Sequence, residues 1–229
     1  MSASRLCLLV CLAVAATGCA STYQEPLEGT SNSGFLGDYS KLEPGEKGEA
    51  ALRYVNPDAR WTGYDKVMID PVTFWGSDAT KVPAADQQTL CDYMDQALRE
   101  KLGEKYTLVD RPGPGVMRLQ VAITDATTAT PVLRTISVLV PQAALLNNLQ
   151  SLATGSYAFA GSAQVEARLI DASTGQLLGE WVDRRMGGNA PTAGAQWQWG
   201  DVKNAMEAWA SLAAERLSGW SSGATKPAP

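Results

Sequence analysis

The sequence predicts an α+β domain of two layers: a mostly antiparallel sheet with two main helices packed on one face. Three observations predict it. Leu90, Met94, Ala97, Leu98 and Leu102 recur at three-to-four spacing, and so do Val202, Met206, Trp209, Leu212, Ala213 and Leu217, which is the period of two amphipathic helices. Val165, Ala167 and Leu169 alternate with Gln164, Glu166 and Arg168, and a second run follows from Leu177 to Arg184, the pattern of a half-buried hairpin. The order is strand, helix, strand, strand, insertion, strand, strand, helix, which gathers the helices against antiparallel hairpins.

At the N-terminus Arg5 precedes Leu6–Ala16, an apolar run without charge. A membrane span needs roughly 20 apolar residues, so residues 1–18 read as a secretory signal to be removed. Ala16-Thr17-Gly18-Cys19 resembles the lipobox of bacterial lipoproteins, with a Cys after two small residues. The resemblance implies that Cys19 becomes the first mature residue and carries a diacylglycerol thioether and an acyl chain such as palmitate. Each buried methylene contributes about 0.8 kcal/mol, so several chains make a lasting anchor in the lipid bilayer. It also implies the outer membrane, facing the periplasm, because Ala20 and Ser21 are not the Asp that holds such proteins at the inner membrane.

Residues 19–33 are polar and aperiodic, the composition of a lipidated tether. Phe35, Leu36, Tyr39 and Leu42 are too apolar for free linker and are expected to lie against a single domain spanning 34–220. Lys66–Asp70 reads as a strand stopped by Pro71. Pro83 and Asp86 suit the first turn of a helix that Gly103 ends. Tyr106–Val109 is a short strand, Arg111–Gly115 a turn, and Leu119–Thr124 a strand with one buried face. The insertion at 126–157 holds the apolar stretch Val132–Leu146, which either packs on the core or forms an apolar flap for membrane or partner. Gly175 suits the hairpin turn, Asp201 the cap of the last helix and Gly219 its stop; residues 221–229 are a loose tail.

Composition excludes several chemistries. The net charge is −5 without a basic cluster, a poor basis for nucleic-acid binding. No histidine is present, which removes Ser-His-Asp and Cys-His catalysis and His-ligated zinc. Of the four cysteines, Cys7 and Cys11 leave with the signal, Cys19 is the lipid site, and Cys91 falls on a helix face as a buried inert thiol. No Gly-x-Ser-x-Gly elbow and no phosphate-binding loop occurs.

Asp70, Asp110 and Asp125 fall at strand ends. Converging carboxylates would hold a divalent cation or share a proton, whereas single ones bond to their own turns. Trp197 and Trp199, two apart among Gln and Gly, either stack on a glycan or protein partner or close over the sheet end.

Ser33–Ser40 with Pro44-Gly45, Tyr64–Val72, Leu108-Val109-Asp110, Arg118–Asp125 and Asp171–Gly175 resemble a family of bacterial lipoproteins known as DUF3313. The resemblance implies a small α+β envelope lipoprotein and brings no catalytic residues. The expectation is a non-enzymatic protein-interaction module of the cell envelope, with no cofactor and no metal, bound to the bilayer through Cys19. The alternative is a glycan- or lipid-binding or hydrolytic envelope protein that uses the strand-end carboxylates.

Overall fold

The computed structural model describes residues 22–25, 27, 32–76, 80–128, 161–187 and 199–227. Its elements are β1 (Thr22–Gln24), β2 (Glu43–Pro44), β3 (Leu52–Val55), β4 (Lys66–Ile69), β5 (Thr73–Phe74), α1 (Ala84–Gly103), β6 (Thr107–Leu108), β7 (Val116–Thr127), β8 (Ser162–Asp171), β9 (Leu177–Gly187) and α2 (Gly200–Ser221). The strands form one sheet in the order β2-β3-β9-β8-β7-β4-β6, with β1 paired to β9 and β5 to β7. The long central strands are antiparallel, and the parallel pairs are β4 with β6 and β7, and β5 with β7. The α+β class with a mostly antiparallel sheet stands.

The parallel corner has a local cause. Pro71 cannot donate to a ladder, so the chain leaves β7 after Ile69 and rejoins it as Thr73↔Ala122. It then crosses through α1 before returning at β6, as a parallel return requires.

Both helices cover the same side of the sheet. Met94 and Leu98 of α1 and Trp209, Leu212 and Leu217 of α2 line one cavity with Leu119, Val121, Val165 and Ala167. β7 runs longer than Leu119–Thr124 because its apolar alternation extends back to Met117 and, past a register shift between Ile123 and Asp125, on to Ala126. The β8–β9 turn closes with Gly175 at φ +75°, where a side chain would be strained.

Four expectations change. Asp201 does not cap α2: Trp199 holds that position, and Asp201 is buried within the first turn, its Oδ2 accepting the Gly161 N–H at 2.9 Å. That carboxylate also lies where a Cβ on Gly187 would stand, so α2 begins in direct contact with the end of β9. Gly219 lies inside α2 and makes room for Thr225; the stop comes at Gly223, φ +72°, with the Thr225 N–H returning to the Gly219 carbonyl. Residues 222–227 are therefore a turn folded back on the helix rather than loose tail.

The segment expected as a tether contains β1, paired Thr22↔Gly187, Tyr23↔Met186 and Gln24↔Arg185. Its pairing is by backbone, which leaves no hydrophobic period to read. The segment around Leu36 does lie against the sheet, with Leu36 only 1% exposed.

Candidate functional site

On the sheet face away from the helices, charged side chains stand in neighbouring rows of β7, β8 and β9. Asp70 receives Arg118 Nε at 2.9 Å and Gln120 Nε2 at 2.9 Å. Asp125 receives Arg184 Nη1 at 2.8 Å, and the same guanidinium reaches Glu25 at 2.8 Å and the Ser162 hydroxyl at 3.0 Å. Burial alone would lower the Arg184 pKa, but Glu25 and Asp125 outweigh it and raise it.

These pairings answer the question put to Asp70 and Asp125. Asp70 sits beside Gln120, and Asp125 follows five residues later on the same strand, so roughly 15 Å of β7 separates them. Each faces its own arginine. Asp110 is exposed on the loop after β6. The structure does not bring the three carboxylates together, and among the described residues no cluster of three metal-ligating side chains occurs.

Two further carboxylates on this face escape the sequence reading. Glu166 is 0% exposed and accepts the Tyr39 hydroxyl at 2.6 Å and the Ser33 N–H at 3.2 Å. Glu180 accepts Arg168 Nε at 2.8 Å, while the same guanidinium donates to the Leu36 carbonyl. Residues 33–40 are thus pinned over the sheet by charge-assisted hydrogen bonds. Burial, with Glu166 alongside, raises the Tyr39 pKa. The apolar residues of 35–42 announce a segment lying on the domain, but Glu166 and Arg168 share the phase expected to face solvent, so nothing local to them places the cover there.

At one margin of this face Phe35 meets Trp75 edge-on, with ring centroids 5.4 Å apart. Trp75 follows β5, its N–H bonded to the Ile123 carbonyl, and its side chain is 44% exposed.

On the helix side a cavity of about 110 Å³ lies between α2 and the sheet. Trp181, Trp209 and Trp220 line it with leucines and valines, and Glu49, Arg53 and Arg216 also border it. Asp183 stands at its wall, buried, and is fully engaged: Trp209 Nε1 donates at 2.7 Å, Ala51 N–H at 2.9 Å, Gln24 Nε2 at 2.6 Å and Arg185 Nε at 2.9 Å. Cys91 is buried, and burial, with Asp92 nearby, pushes its thiol up to about 11. A thiol held that high is unreactive at neutral pH.

Trp199 is 2% exposed within the core cluster. As a surface contact for a partner it is corrected: at the N-terminus of α2 it is packed into the core. Trp197, Cys19 and Val132–Leu146 lie outside the described residues.

A model of a family described as "Protein of unknown function (DUF3313)" matches residues 31–213. The chain belongs to the DUF3313 family of lipoproteins. The uncharacterized lipoprotein YdcL of Escherichia coli K12 is 30% identical to this DUF3313 chain over 169 residues, covering 72% of it and 74% of YdcL. Solved structures with a similar outline include the PelC dodecamer from Paraburkholderia phytofirmans, at TM-score 0.37 and 13% identity over 70% of this chain and 95% of that one. Lipoprotein GNA1162 from Neisseria meningitidis compares at TM-score 0.31 and 13% identity, over 55% and 85%. Likenesses of that size say nothing about what this DUF3313 chain binds.

Proposed function

We propose that this DUF3313 protein is a non-enzymatic interaction module of the cell envelope, held on the periplasmic face of the outer membrane through acylated Cys19. The observation that carries the reading is the aromatic pair Phe35–Trp75, with Trp75 44% exposed beside an outer strand of the sheet. Large aromatics left in water at a fixed position are the usual anchors of protein interfaces. The pairing of Asp70 and Asp125 with separate arginines supports a binding role over hydrolysis, because the two are not placed to share a proton with one another.

The test is capture of the lipidated protein from its own membranes after mild crosslinking, beside Trp75→Ala and Cys19→Ser. One stoichiometric envelope protein should be retained by the wild type and lost from both variants, while Trp75→Ala leaves the unfolding midpoint unchanged. Capture that is indifferent to Trp75 would remove this site.

A second reading follows from the cavity beside α2. An engineered apolar cavity of about 150 Å³ takes up benzene, so a space of this order admits a ring or a short alkyl segment. Lipid binding there predicts that Ala213→Phe abolishes uptake of an apolar fluorescent probe. Equal uptake by wild type and variant would rule the cavity out.

A further inference from the structure

We propose that the end of the sheet formed by Thr22, Thr127, Ser162 and Gly187 faces the phospholipid headgroups, so that the domain stands on the bilayer by this end. The inference rests on the anchoring reading above, and the length of chain between lipid and fold decides it. β1 begins at Thr22, three residues after Cys19. A fully extended chain spans at most about 3.6 Å per residue, so the acylated residue lies within roughly 11 Å of Thr22. A free tether running to Ser33 would have allowed roughly 50 Å on the same basis and any orientation.

The near end of that leash is firmly held. Thr22, Tyr23 and Gln24 pair with Gly187, Met186 and Arg185 at the last residues of β9. Gln24 Nε2 also donates to Asp183 at 2.6 Å and to the Glu49 carbonyl at 2.9 Å. The Glu25 N–H bonds the Arg184 carbonyl at 2.9 Å, and its carboxylate pairs with that guanidinium at 2.8 Å. A lipid on Cys19 therefore cannot draw away from the domain without opening these bonds.

Register carries the same level across the sheet. Met186 lies opposite Ser162, and Ser162 opposite Thr127. The Gly161 N–H joins Asp201 at the start of α2, so the helix begins at this end too. The β8–β9 turn at Asp171–Gln176 lies the length of β8 away, roughly 33 Å for ten residues. One end of the domain is within reach of headgroups, and the other is not.

The test uses the full lipidated protein in vesicles of phosphatidylethanolamine and phosphatidylglycerol that carry a photoactivatable diazirine on some headgroups. Vesicle-bound protein is recovered by flotation, irradiated, and its crosslinked peptides mapped by mass spectrometry. Crosslinks per peptide should be about fivefold or more denser over 22–25, 125–128, 161–163 and 185–187 than over 171–176, given the difference in reach. A long Gly/Ser insertion between Ser21 and Thr22 should erase that preference while flotation persists. Equal crosslinking of both ends in floating wild-type protein would overturn the orientation and leave the anchor standing. Wild-type protein that fails to float, or Cys19→Ser protein that floats as well, would overturn the anchor and the orientation together.

Discussion

On the helix side of β7 and β8, Leu119, Val121, Ile123, Val165 and Leu169 meet α1 and α2 in a continuous apolar core. One residue along each strand, on the other side, Arg118, Gln120, Glu166 and Arg168 are joined to Asp70, Tyr39 and Glu180. Both sides hold fully buried residues, but the far side sets Glu166 among the apolar Leu36, Ala122 and Val182. Burial on the helix side comes from whole elements laid down by hydrophobic periodicity, and on the far side from residues 33–40, held by hydrogen bonds. The difference teaches that a buried position here does not fix a residue type; what covers it does.

The largest test breaks the contrast at Asp183, a carboxylate on the apolar side. Asp183→Ala strands the Arg185 charge and the donors Trp209 Nε1 and Ala51 N–H, and takes from Gln24 Nε2 one of its two acceptors. It should cost about 3–5 kcal/mol in denaturant unfolding. A loss near that of an ordinary surface substitution would mean that the apolar side tolerates charge without a network.

Leu169→Ala, fully buried among the core residues, should cost about 2–4 kcal/mol by leaving a cavity. On the far side Glu166→Gln keeps the shape and loses the charge, so a cost of about 1–2 kcal/mol is expected, with faster proteolysis of residues 33–40. If the two substitutions cost the same, the sides are not as different as drawn.

A pH scan sharpens the comparison further. Tyr39, Tyr64 and Tyr93 each have pKa values raised by burial and by a hydroxyl bond to Glu166, Asp171 and Glu207 respectively. Unfolded tyrosine titrates near pH 10. Because the folded values are higher, the stability these groups give is intact below about pH 10 and is lost as pH rises through the folded values. Melting temperature should fall on that limb, and less steeply for Tyr64→Phe. The smallest effect belongs to Trp75→Ala, expected within about 0.5 kcal/mol of wild type in the same unfolding assay, since its side chain is half in water.

How much of this was legible in the sequence follows the same division. α1, α2 and the β8–β9 hairpin could be read because their burial is periodic. β1, β2 and β3 could not, because they are short and pair through backbone at one flank of the sheet. Asp201 looks like a cap by type, and only the approach of Gly187 and Gly161 shows that its carboxylate is used between elements. Asp70 does follow the end of β4, whereas Asp125 lies within β7, paired with Gln164, because that strand runs on to Thr127. Their arginine partners come from residues 48 and 59 positions away, which no local pattern carries. Glu166 is the same case: its partner Tyr39 is 127 residues distant. The aromatic pair Phe35–Trp75 joins two segments that spacing could not associate.

The seam between β1 and β9 also bears on force. A pull transmitted through an anchored Cys19 would enter the fold at Thr22 and run along the axis of β1. A strand loaded along its length must slip as a unit, because its backbone bonds, the Gln24–Asp183 bond and the Glu25–Arg184 pair are strained together. A strand lifted sideways gives them up one at a time. The arrangement is a mechanical clamp: tension between the membrane and whatever the domain holds would be resisted in shear, and the fold would unravel from its N-terminus only after that clamp had released.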